Sequence, residues 1–286
     1  MSEAPPELTE RVPLAHEVHG DGPGAPIVLV TGTGYPGRTW HPELVDALAA
    51  YRPVITFDHR GTGATPGTPG PYSTRLFASD LAGLLEGLGL GPAHVLGHSM
   101  GGRVAQWLVL DHPSLVRSLI LAASGPGQFS DAHAQTTGIP VPTALGLIEL
   151  GYEGYMRRQI TTSFFTAGYA EAHPDRVGWL VEAFWAGRPS IEDYLKHVAA
   201  RQAHRTTDRL GEIRRPTLVV IGDQDTHVGG TGSHWEQSQY LASTIAGAEQ
   251  RVIAGAKHGF FWSHPEETVR TLVEWTARHD AVPADA

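Results

Sequence analysis

A chain of 286 residues, 41% of them apolar, is long enough to bury one large core, which excludes disordered and fibrous classes. Its formal charge of −9 weighs against a phosphate-backbone binder, so no nucleic acid is expected as a partner. The chain has no cysteine, which removes disulfides, thiolate nucleophiles and Cys-ligated zinc, and its apolar runs fall far short of the roughly 18 to 20 residues of a membrane helix. The start, Met1 to Glu10, is polar and acidic without an apolar export core, so a cytoplasmic location and no membrane partner are expected.

Strand-like runs occur in chain order at Leu14 to His19, Pro26 to Thr31, Pro53 to Asp58, Ala93 to Gly97 and Arg117 to Ala122. Between them the period lengthens to helical at Pro42 to Ala50, Arg75 to Leu88 and Gly101 to Asp111. Alternating strand and helix, with continuous apolar strands such as IVLV, predicts an α/β domain: a mostly parallel sheet with helices on both faces. From 125 to 212 the strand pattern stops and aromatic residues crowd helical segments. Strands resume at Thr217 to Ile221 and Gln250 to Ile253, and a helix from about Glu266 to Arg278 closes the domain. The expected organisation is a core of residues 12–124 and 213–280 with a helical cap, 125–212, inserted in it. Most of the cap aromatics are expected to pack on one another, with a minority lining a pocket.

The sharpest motif is Gly97-His98-Ser99-Met100-Gly101-Gly102, which fits G-x-S-x-G between a strand and a helix. Such a turn lifts the serine Oγ above the strand ends. Glycine is required on either side because strand and helix approach too closely for a Cβ. The helix N-terminus and the Met100 N–H then face the place where negative charge develops. A serine nucleophile needs a base, and the base needs an orienting acid. After the strand TLVVI comes Gly222-Asp223-Gln224-Asp225-Thr226-His227, and after RVI comes Ala254-Gly255-Ala256-Lys257-His258-Gly259. The order Ser, Asp, His makes His258 the candidate base and Asp225 the candidate acid. Asp223 is expected to make a turn or cap a helix, His227 and His234 to make local bonds or lie at the surface, His264 to cap the last helix or lie at the surface, and His98 and His59 to be structural.

Gly32-Thr33-Gly34-Tyr35-Pro36-Gly37 also satisfies G-x-G-x-x-G, with Asp58 21 residues beyond Gly37, a dinucleotide fingerprint on paper. The helix, however, should begin near Pro42, too late to present its N-terminus to a pyrophosphate. The loop fits better as the second side of an oxyanion hole, with the N–H of Thr33 or Gly34 opposite that of Met100. No cofactor and no metal are expected.

With these residues the chain resembles the α/β-hydrolase superfamily, in particular small ester, lactone and carbon–carbon bond hydrolases with a helical cap. The likeness runs through TGTG, DHRGTG, GHSMGG, GDQD and GAKHGFFWSHPEE, over about residues 12 to 125 and 212 to 278. It implies Ser99 as nucleophile, Asp225 and His258 as its partners, Thr33 and Met100 as oxyanion donors, and a structural role for Arg60-Gly61. Many relatives begin the first loop with His-Gly, where this chain has Thr31-Gly32. The expected activity is cofactor-free hydrolysis of a small, largely apolar ester or lactone through an acyl-enzyme. Carbon–carbon bond hydrolysis, perhydrolase or haloperoxidase-like chemistry, a lyase reaction and a small-molecule receptor with an idle triad stand as alternatives. Arg157 and Arg158 either meet a substrate carboxylate or are solvated, and solvation is the expectation.

Overall fold

A computed structural model describes residues 10–130, 137–225 and 233–281. The elements in chain order are β1 (His16–His19), β2 (Ile27–Val30), α1 (Pro42–Ala49), β3 (Val54–Phe57), α2 (Thr74–Leu88), β4 (Ala93–His98), α3 (Met100–Asp111) and β5 (Val116–Ala122). Next come α4 (Val141–Gln159), a π-helical turn (Ile160–Phe164), α5 (Ala167–Ala172), α6 (Pro174–Ala186) and α7 (Ile191–Gln202). The chain ends with β6 (Thr217–Gly222), α8 (His234–Thr244), β7 (Glu249–Ile253), α9 (Phe260–Ser263) and α10 (Pro265–His279).

Seven strands form one sheet in the order β1-β3-β2-β4-β5-β6-β7. Only β1 runs antiparallel, against β3; every other pairing is parallel. The continuous apolar runs β2, β3, β4 and β6 are buried along their whole length, as strands covered on both faces must be. Side chains alternate between the faces. Ile27, Leu29, Leu96, Ile120 and Val220 pack with Leu44 and Leu48 of α1 and Leu272 and Trp275 of α10. Val28, Val30, Val95, Leu119 and Val219 pack with Leu81 of α2 and Val104 and Leu108 of α3. The edge strands β1 and β7 are mostly exposed.

Local chemistry sets the helix ends. The Ser73 hydroxyl accepts the Leu76 N–H at 3.0 Å to start α2, and Gly89 ends it with φ 63°. His41, ahead of Pro42, caps α1 by accepting the Glu43 N–H. From β2 the chain passes to β3 on one side and then crosses back to place β4 on the other. The C-terminal ends of β2 and β4 therefore flank the switch point, where a parallel sheet opens its ligand crevice. Between β5 and β6 the described residues form helices and loops, in keeping with the aromatic-rich sequence there. No helix among the described residues is long and apolar enough to cross a membrane.

A buried ion pair braces the loop after β3. Arg60 grips Asp80 of α2 with two bonds of 2.7 Å, both side chains fully enclosed, while the Arg60 carbonyl accepts the His197 Nε2–H at 2.9 Å. Asp80→Ala leaves the guanidinium buried without its counter-charge. Urea unfolding should report a loss of about 3–5 kcal/mol; a loss below about 1 kcal/mol would show that the pair is not structural.

Candidate active site

Ser99 stands between β4 and α3 with φ 56° and ψ −119°, a conformation L-residues rarely adopt. It is held there by its own backbone: the Ser99 N–H donates to Ala122 O at 2.9 Å, and Ser99 O accepts the Ser124 hydroxyl at 2.7 Å and the Gly102 N–H at 3.1 Å. A Cβ on Gly97 would stand 2.4 Å from Gly101 O, one on Gly101 2.2 Å from Val30 O, and one on Gly102 2.4 Å from Ser124 Oγ. The first N–H groups of α3, Met100 among them, have no acceptor within the helix and lie at its positive end.

The loop after β2 lies directly against the serine: a Cβ on Gly32 would stand 3.3 Å from Ser99 Cβ and 3.7 Å from its Oγ. Within the loop the Thr31 hydroxyl donates to Tyr35 O at 2.7 Å and the Tyr35 N–H to Gly32 O at 3.2 Å, with Gly34 at φ 73°. The Gly34 N–H is engaged by His197 Nδ1 at 3.3 Å, so of the two candidate donors it is the one already bonded. The buried Thr33 hydroxyl has no hydrogen-bond partner.

The loops after β6 and β7 are laced together. The Gln224 N–H donates to Ala256 O at 2.9 Å, and a Cβ on Gly222 would stand 2.2 Å from the same oxygen. Asp223 accepts the Gly255 N–H at 2.8 Å, the turn-shaping task expected of it. This lacing presents Asp225 to His258, whose Nδ1–H donates to Oδ2 at 2.7 Å, both side chains buried. His234, the first residue of α8, donates from Nδ1 to the other carboxylate oxygen at 3.3 Å and stacks on the His258 ring at 4.4 Å. His227 lies outside the described residues.

Burial disfavours the charged form of Asp225, but the charges and hydrogen bonds of His234 and His258 outweigh it and hold the carboxyl far below the usual range. For His258 burial is the largest influence and, helped by the charge on His234, lowers its basicity against the pull of Asp225. His98, enclosed beside it, is held neutral by burial and donates from Nε2 to the His258 carbonyl at 3.0 Å. His264 precedes α10 without a side-chain cap bond and contacts Ser263 Oγ at 2.8 Å instead.

The π-helical turn closes over this pair. Phe164 O accepts the Gly259 N–H at 2.9 Å, and its ring meets His258 edge-on at 5.2 Å while stacking on Tyr35 at 5.3 Å. Other aromatics of the segment pack on each other, as with Tyr152 and Tyr194 at 5.3 Å. Arg157 and Arg158 are exposed, Arg157 paired with Glu153 at 2.9 Å.

The dinucleotide pattern has a structural explanation. Gly37 packs so tightly on β3 that its Cβ would stand 2.6 Å from Phe57 O, and its N–H donates to Asp58 at 2.7 Å. Asp58 also takes the Ala64 N–H at 2.9 Å, so the carboxylate that would bind a ribose instead braces two loops. Asp225, His234 and His258 do place donor atoms within 4.8 Å of one another, but an ion there would displace the bonds that orient His258.

The family profile for the alpha/beta hydrolase fold matches residues 25–265. A protein from Variovorax paradoxus (strain S110) named "Putative carbamate hydrolase RutD" is 30% identical over 279 residues, spanning 96% of this chain and 100% of that protein. Among solved structures, a thermophilic esterase from Thermogutta terrifontis superposes with a TM-score of 0.78 at 25% identity, covering 94% of each chain. The N-acyl homoserine lactone degrading enzyme Est816 gives 0.74 at 26% identity, covering 92% of this chain and 96% of that one. The chain is a member of the α/β-hydrolase family.

Proposed function

We propose that this hydrolase is a cofactor-free serine enzyme acting on a small, largely apolar carboxylic ester or lactone. The observation that carries the reading is the strained, glycine-flanked Ser99 at the head of α3, in a site where the buried Asp225–His258 pair lies at the same sheet edge. Because Nδ1–H of His258 is engaged by Asp225, Nε2 holds the free lone pair and takes the proton from Ser99 Oγ as the oxygen attacks the carbonyl. The oxyanion is met by the N–H groups of Met100 and Thr33, the Gly34 N–H being bound to His197. His258 returns the proton to the departing alcohol. It then activates water to release the acid from the acyl-enzyme. Asp225 stays ionised and steadies the imidazolium.

In this reading residues 125–212 form the cap over a core of 12–124 and 213–280, and Phe164 and Tyr35 supply the apolar wall that keeps water from the acyl-enzyme. A carbamate is the second substrate class, since its carbonyl is open to the same attack. The full-length likeness to the Variovorax protein of that name supports it.

Ser99→Ala should lower kcat on p-nitrophenyl butyrate by about 10⁴-fold or more while melting within about 3 °C of the wild type. Retained turnover would refute the assignment. The pH profile of kcat/KM supplies a further check: neutral His258 is the active form and its site lowers its basicity, so activity should rise with pH through a midpoint below the ordinary histidine value of about 6.5. A midpoint above about 7 would contradict the role given to burial and His234.

A further inference from the structure

Asp225 is bound from two sides. Its Oδ2 accepts the His258 Nδ1–H at 2.7 Å and its Oδ1 the His234 Nδ1–H at 3.3 Å, while its backbone oxygen accepts the Trp235 N–H at 3.3 Å. The last two donors come from consecutive residues in the first turn of α8, so the positive end of that helix lies beside Asp225. The rings of His234 and His258 stack on each other, 4.4 Å apart and 27° from parallel. Acyl transfer by a serine, a histidine and an acid needs only one of these rings.

An ionised carboxylate accepts at both oxygens, and the Asp225 side chain is 1% exposed, so its donors must come from the protein. With a donor on Oδ2 alone the carboxylate could turn about its bond to Cβ. A second donor on Oδ1 fixes its plane and with it the line along which it meets His258. The second donor also draws charge to itself, and a carboxylate shared between two rings pulls less on either. The shorter bond goes to His258, which keeps the larger share. Consistently, burial is the first cause that lowers the basicity of His258, and His234 and Arg201 add to it against the pull of Asp225. Of the other ionisable groups nearby, His98 has its ring 4.6 Å from that of His258 and is kept neutral by burial. Glu236 and Lys257 are bonded to the Ser233 N–H and to Thr162 O.

We propose that His234 is a positioning residue of the catalytic group: from the start of α8 it holds the second oxygen of Asp225, which fixes the carboxylate toward His258 and divides its charge between the two rings. For turnover this rests on the hydrolase reading; for the state of the His258 ring it does not. The fold tolerates loss of the imidazole. Reciprocal bonds between Ser233 and Glu236 start α8 without the His234 side chain, and the Trp235 bond to Asp225 is made by backbone alone.

Two substitutions separate the donor from the ring. His234→Phe keeps a stacking ring without a donor; His234→Asn keeps a donor, with its amide nitrogen in the place of Nδ1, without the ring. In His234→Phe the plateau kcat on p-nitrophenyl butyrate should fall about 10-fold with KM changed by less than about 2-fold. The midpoint of the pH profile of kcat/KM should rise by about 0.5 to 1 pH unit, because Asp225 then serves His258 alone. His234→Asn should recover most of both effects. A residue that only packed α8 against the sheet would lower stability without moving the midpoint. An unmoved midpoint in His234→Phe, or equal losses in His234→Asn and His234→Phe, would overturn the proposal. NMR titration of the His258 ring in Ser99→Ala, with and without His234→Phe, separates the two claims. An upward shift of the ring's midpoint, in a protein whose wild type lacks esterase activity, refutes only the hydrolase reading, whereas an unmoved ring refutes the role of His234.

Discussion

One constraint organises the site: the chain must leave β4 and enter α3 within a single residue. The crossing brings backbone against backbone, with Gly97 on Gly101 and Gly101 on the end of β2, so that a methyl group at any of the three glycines 97, 101 and 102 would overlap its neighbour. Backbone strain of order 1–3 kcal/mol at Ser99 persists because the surrounding structure over-determines it. The bonds from Ala122, Ser124 and Gly102 to the serine backbone come from β5, the loop after it and α3, and none of these can move without disturbing the sheet. The crossing thereby raises a hydroxyl above the strand ends and sets a helix N-terminus directly behind it.

The Asp225–His258 pair stands past the ends of β6 and β7, and burial defines its chemistry. Asp225 is enclosed, a position that would normally favour the neutral acid, yet two histidines on its two oxygens reverse the balance and keep it ionised. The same enclosure weakens His258 as a base and keeps His98 and His197 neutral. Neutral rings are useful here because each fixes one tautomer. His98 gives its N–H to the carbonyl of His258, and His197 accepts from Gly34 while donating to Arg60, tying α7 to two loops at once. The helices between β5 and β6 are thus joined to the site by hydrogen bonds at His197 and Phe164 as well as by apolar contact.

Much of the fold was legible because its strands are buried on both faces and read as unbroken apolar runs, while the helices between them carry caps and a regular period. β1 was expected as a strand, at Leu14 to His19, but not its antiparallel direction, and the helix α8 was not expected at all. That helix is weakly apolar, with Leu241 its main buried anchor; its start was nonetheless written in Ser233-His234-Trp235-Glu236, a reciprocal capping box. At the site, Ser99, Asp225 and His258 could be singled out because each stands just past a strand on a loop of recognisable form. His234 meets Asp225 because α8 begins beside it, the Trp235 N–H donating to Asp225 O at 3.3 Å, a long-range placement that periodicity does not reveal. Arg157 and Arg158, which drew attention by being adjacent, are exposed, in keeping with the expected solvation. The dinucleotide pattern misleads because glycine serves close backbone packing as readily as phosphate binding, and Gly37 is needed against β3.

The central claim is that Ser99 is an activated nucleophile. Incubating the protein with a fluorophosphonate probe and mapping the adduct by peptide mass spectrometry tests it most directly. The account predicts one adduct, on Ser99, formed more slowly when His258 is replaced by alanine. No adduct, or one on another residue, would contradict it.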